Sequence, residues 1–203
     1  MTVRDGLLVP PELQRSAHSG RERQAWIESG DLPVGHHTSF EYFDARNDLY
    51  TPGGGTPLGE FENVPVPVAS ADLIGLFSVF THLGPDDYVA MLHLLRRAVR
   101  PDGRLVFSAF LNDPDDPPAL AKILEERLAS ADPAVVSEAQ AAIERVAAQK
   151  DRGFLDVVPE KPLLQARYDL DFALELIDGT GWRVESVNPP EEHIQHYLIC
   201  RPA

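Results

Sequence analysis

Apolar positions along this chain fall into two textures, and the change comes near residue 40. Residues 1–39 are polar, with one helical pattern over Glu22–Glu28 and a loop at Gly30–His37. From Phe40 onward, short apolar runs alternate with helical periodicities, the pattern of an α/β domain. FEYFDA (40–45) predicts a strand, and the Gly- and Pro-dense stretch 47–67 a long loop. ADLIGLFSVF (71–80) is an almost unbroken apolar run, suited to a central strand buried on both faces.

The segment that follows carries a full set of helix signals. Pro85 suits the first helical position, and Asp86 and Asp87 meet the positive end of the helix dipole. Tyr88, Met91, Leu92, Leu95 and Val99 recur on one face. Arg96, Arg97 and Arg100 occupy the last turn, and Pro101-Asp102-Gly103 ends it. RLVFSAFL (104–111) then reads as a second buried strand, so strand, helix and strand predict a parallel βαβ unit.

Downstream, helical patterns over 119–130 and 133–150 predict a surface helical insertion at 119–150. GFLDVVP (153–159) suggests a short strand, and Asp169 a cap for a helix through Ile177. WRVESVNP (182–189) and HIQHYLICRP (193–202) alternate as a closing antiparallel pair.

Composition narrows the function classes. The 203 residues are 43% hydrophobic, enough for an ordinary core without disulfides. The formal charge of −14 makes nucleic acid and anionic membrane surfaces poor partners. The longest stretch free of formal charge, Leu73–Pro85, is 13 residues, short of a membrane span. One cysteine, Cys200, and no apolar leader predict a cytoplasmic protein.

Several residues sit where chemistry is common. His82 follows the 71–80 strand and suits a general base, or equally a helix-entry residue bonded to backbone. Asp113, Asp115 and Asp116 offer hard oxygen ligands but read better as a solvated loop. His193 and His196 face opposite sides of a strand, and His36-His37 lie in a loop, so no metal site is expected. Ser-His-Asp, CxxC and HExxH patterns are absent from the sequence.

The stretch from ADLIGLFSVFTHL through LRRAVRPDGRLVFSAFLND resembles the fourth-strand, helix and fifth-strand region of class I S-adenosylmethionine-dependent methyltransferases. FEYFDARNDLYTPGG resembles the family's third-strand region, and GWRVESVNPP with QHYLIC its closing strand pair. The resemblance implies a Rossmann-like α/β domain over 40–203, preceded by a helical and loop segment at 1–39. It implies S-adenosylmethionine as cofactor and a small-molecule methyl acceptor. Asp44 and Ala45 would lie near the adenine, and Ser78, Val79 and Phe80 would line the cofactor pocket, with His82 catalytic.

The family's Gly-rich cofactor loop has no counterpart in residues 1–39. Gly53-Gly54-Gly55 does not replace it, because Thr56-Pro57 cannot open a helix after it. The fold is therefore expected to be truncated or rearranged at its first two strands, leaving the 71–80 strand with an open edge. Two consequences follow: a homodimer or heteromeric partner on that edge, and an alternative role as a catalytically silent partner or regulatory subunit.

Overall fold

The computed structural model describes residues 43–47, 49–50, 53–112, 125–148, 153–158, 161–190 and 195–203. The helix expected at 22–28, the His36-His37 pair, the acidic run 113–116, His193 and the start of the first insertion helix lie outside them.

The parallel βαβ unit is present. β1 (Ala71–Leu76) leads through α1 (Pro85–Ala98) to β2 (Val99–Asn112), with Leu73 opposite Arg104 and Leu76 opposite Phe107. The expected turn at Pro101-Asp102-Gly103 survives as an irregularity inside β2, between the Ala71–Val99 and Leu73–Arg104 pairs. A Cβ on Gly103 would stand 2.6 Å from Val99 Cγ2 and 2.9 Å from the Asp72 carbonyl, so the close approach requires glycine.

On the other edge of β2 lies β6 (His196–Pro202), antiparallel, and outside it β5 (Trp182–Asn188), the closing pair the sequence suggested. Glu185 fastens this end of the sheet by pairing with Arg104 (2.7 Å) and Arg201 (3.4 Å). The C-terminal end of β2 gains a further neighbour that the hydropathy pattern did not suggest. β4 (Ala166–Asp169) runs parallel to Phe110–Asn112, and β3 (Phe154–Asp156) pairs antiparallel with β4. α2 (Pro133–Ala148) belongs to the insertion, and α3 (Leu170–Ile177) follows β4 directly.

The core forms where α1 packs on the sheet. Phe80, Tyr88 and Phe107 cluster with ring centroids 4.2 to 6.0 Å apart, and Tyr168 adds a fourth ring 5.0 Å from Tyr88. All four are inaccessible to solvent. Each such ring contributes about 1.5–3 kcal/mol by burial. Two polar tips are anchored: Tyr168 donates to the Leu83 carbonyl (2.6 Å), and Trp182 Nε1 donates to the Leu92 carbonyl (2.9 Å).

Two strand expectations need correction. β1 stops at Leu76 rather than Phe80, because Ser78 adopts a left-handed backbone (φ +55°) and residues 80–82 form a 3-10 turn. Nor is β1 covered on both faces. Ile74 and Leu76 are buried, whereas Leu73 on the opposite face is 51% exposed and Phe77 61%. Among the described residues β1 pairs with β2 alone and is an edge strand. Residues 43–45 of the expected FEYFDA strand form only a single parallel bridge, Ala45 to Thr56.

Candidate functional site at the strand ends

β1 and β2 end on the same side of the sheet, the side where open α/β folds collect ligands. The sharp turn after β1 is held from below. Ser78 donates its backbone N–H to Ser108 Oγ (2.8 Å), and Ser108 donates its hydroxyl proton to Gln195 Oε1 (2.6 Å). Gln195 Nε2 closes the ring by donating to Ser78 Oγ (3.0 Å). Ser108 is fully buried, so its one donor and one of its lone pairs are both committed. Ser78 and Gln195 remain accessible and present a hydroxyl and a primary amide at the surface.

His82 stands four residues on, at the end of the 3-10 turn. Its Nδ1 lies 3.0 Å from the Leu163 carbonyl. A carbonyl can only accept, so in the neutral ring Nδ1 carries the proton and Nε2 the lone pair. The Tyr50 ring meets the imidazole edge-on at 5.5 Å, and Asn47 Nδ2 donates to the His82 carbonyl (2.9 Å). A cleft of ≈ 330 Å³ opens beside this contact, between Arg46, Asn47 and Pro57 on one wall and Gly84–Asp87 and Leu163 on the other. The first turn of α1 brings Asp86 and Asp87 to this cleft, which Arg46 also lines, so both signs of charge meet there.

The expected site residues thus divide. His82 reaches the 43–57 loop through Asn47, and Ser78 meets Ser108 and Gln195. Asp44 is exposed and lies in a bridge-stabilised loop rather than at a strand end; its carbonyl accepts from the Thr56 N–H (2.9 Å). Ala45 forms the bridge itself. Val79 is half-buried between Ser78 and the turn. Phe80 departs furthest from expectation: its side chain is fully buried between Tyr88 and Phe107 and offers a ligand no surface. Ser108 and Gln195 were not singled out in the sequence. A strand serine and a loop glutamine become notable only once β6 is docked beside β2.

The glycine run serves the chain itself. Gly55 has φ +78°, and a Cβ there would stand 2.7 Å from the Arg46 amide nitrogen, so glycine lets the loop fold back on residues 45–46. For S-adenosylmethionine, the Ser78 hydroxyl and the Gln195 amide, 3.0 Å apart, are polar groups of the kind that pair with a nucleoside's hydroxyls. No glycine-rich turn opening a helix is present among the described residues to hold the methionine end. Nor, among those residues, do three His, Cys, Asp or Glu side chains gather as a metal site. No helix among them is long and apolar enough to cross a membrane.

No family model matches the chain. Its structure is similar to that of the mitomycin 7-O-methyltransferase MmcR, with a TM-score of 0.45 and 19% identity over 73% of this chain and 33% of that one. It is also similar to the methyltransferase CalO6 (TM-score 0.41, 22% identity, 71% of this chain, 38% of that one). A third similar structure is the 1,6-didemethyltoxoflavin-N1-methyltransferase of Burkholderia thailandensis (TM-score 0.42, 14% identity, 73% of this chain, 49% of that one). The chain spans between a third and a half of the length of these proteins.

Proposed function

We propose that the protein is a class I methyltransferase-like protein that transfers a methyl group from S-adenosylmethionine to a small-molecule acceptor. The observation that carries this reading is the polar constellation at the strand ends of the β1–α1–β2 unit, with Ser78 and His82 on either side of a buried Phe80. S-adenosylmethionine supplies an electrophilic methyl group when bound. This chain contributes position and proton chemistry. Ser78, with Gln195 behind it, orients a polar ligand group, and His82 Nε2 takes the proton an acceptor hydroxyl or amine gives up. Cytoplasmic residence is part of the proposal and rests on a single buried cysteine, Cys200.

The edge of β1 that is unpaired among the described residues supports a finer proposal, that a second chain pairs there, either another copy or a heteromeric partner. Leu73, Phe77 and Val68, each more than half exposed, give that edge an apolar face. A thermal-shift titration with S-adenosylmethionine tests the main reading: a saturable rise in Tm supports it, and an unmoved Tm at millimolar ligand removes it. Sedimentation of the wild type against L73K tests the edge.

A further inference from the structure

Arg167 lies in the middle of β4 and is 1% exposed. Its Nε and one terminal nitrogen, Nη2, have no hydrogen-bond partner, and its guanidinium carbon sits 5.0 Å from the centre of the Phe110 ring. Burial alone pushes the guanidinium down to about 10, which leaves it charged at neutral pH. An unpaired buried cation is among the costlier things a fold can hold, and a ring face offsets only part of that cost.

A second unpartnered atom lies on the same side of the sheet. Phe110 pairs with Arg167 and Asn112 with Asp169, so the alternation places Arg167, Phe110, Asn112 and Asp169 on one face. Asn112 donates through Nδ2 to Asp169 Oδ1 (3.2 Å), while its own Oδ1 is buried without a partner. Leu155, opposite Arg167 on β3, is an apolar neighbour on the same face. Donors and an acceptor, both desolvated and both idle, are thus one rung apart. Asn112 and Asp169 are half-buried, so the approach runs from the strand ends.

We propose that this is an anion site, in which Nε and Nη2 of Arg167 take the carboxylate of a small organic acid as a bidentate pair. Nε and Nη2 form one edge of the guanidinium fork, the geometry that matches two carboxylate oxygens. A monoanion fits better than a dianionic phosphate, because one buried cation balances one charge and the chain as a whole carries −14. Phe110 and Leu155 provide apolar walls for the body of the acid, and Asn112 Oδ1 accepts a donor group carried on it. The site is independent of methyl transfer and does not require S-adenosylmethionine.

The test is calorimetric titration of the full chain with sodium benzoate at constant ionic strength, with inorganic phosphate as the competing probe. Saturable benzoate binding, at least about tenfold weaker in R167M and in R167K, is the expected result. Unliganded R167M should melt no lower than wild type, because it removes a charge that has no internal partner. The proposal is overturned by no benzoate binding up to about 10 mM, by equal binding in R167M, or by an R167M protein that is markedly destabilised or unfolded. The side-chain Nε–H resonance of Arg167 gives a readout free of mutation, since it must shift with benzoate and stay fixed with sodium chloride. Tighter binding of phosphate than of benzoate would also contradict it.

Discussion

Ser78 takes a left-handed backbone conformation at the end of β1 while its N–H is held by the buried hydroxyl of Ser108, 2.8 Å away on β2. That bond fixes a conformation which costs a non-glycine residue roughly 1–3 kcal/mol. Removing the Ser108 hydroxyl orphans the Ser78 N–H and leaves Gln195 Oε1 with only the longer Ser78 hydroxyl contact (3.2 Å), so S108A should lose about 1–3 kcal/mol in urea unfolding. S78V should lose a comparable amount, because a β-branched residue is worst placed at positive φ, whereas S78G should be neutral or stabilising. A stable S78V with a destabilised S78G would contradict the strained turn.

Trp182 ties the closing pair to α1. Its indole N–H reaches the Leu92 carbonyl, and Arg96 lies over its ring at 5.8 Å while donating through Nε to the Gly181 carbonyl (3.0 Å). W182A should therefore cost about 3–5 kcal/mol, by cavity formation and loss of the anchor. R96A should cost far less, since that contact is partly exposed. Equal losses in denaturant melts would show that the ring is not the anchor.

The imidazole of His82 should show one fixed tautomer. With Nδ1–H donated to Leu163, neutral His82 has an unprotonated Nε2. Long-range ¹⁵N–¹H correlation spectra distinguish the two ring nitrogens, and a protonated Nε2 in the neutral ring would undo the role given to it as a base.

Stability should fall at alkaline pH. Burial pushes the Cys200 thiol from 9.0 up to about 12 and raises Tyr88 and Tyr168 well above the usual tyrosine range. These groups are neutral in the fold, and the unfolded chain releases its protons first. Their contribution is complete below pH about 9 and shrinks as pH rises through 9 to 12. Arg167 acts in the opposite sense, but only above about pH 10, where the folded state begins to release its proton before the unfolded chain does. Chemical denaturation should show a level free energy from pH 7 to about 9 and a decline from about 9 to 10, and no decline above about pH 9 would contradict the burial of these groups.

Much of this architecture was legible in the hydropathy pattern. Pro85, the acids after it and the apolar spacing to Leu95 specify α1, and the runs flanking it specify β1 and β2, because local signals and burial agree there. β4 was not legible, since ARYD has a charge at its centre and its strand state comes from pairing with Phe110–Asn112. The length of β1 departs from the pattern for a related reason: FSVF is largely apolar, but Ser78 turns the chain and Phe80 drops into the core. At the site, His82 and Ser78 could be nominated from their position after a strand. Ser108, Gln195 and Arg167 matter through contacts across 30 to 117 residues, which no local pattern records.

The central claim, that this chain handles S-adenosylmethionine, is tested most directly by calorimetric titration with S-adenosylhomocysteine, the product form of the cofactor. The account predicts a saturable isotherm that weakens in S78V and is unchanged in H82A, because Ser78 is assigned to the ligand and His82 to the proton. No heat at about millimolar ligand would contradict the account, and so would binding indifferent to Ser78.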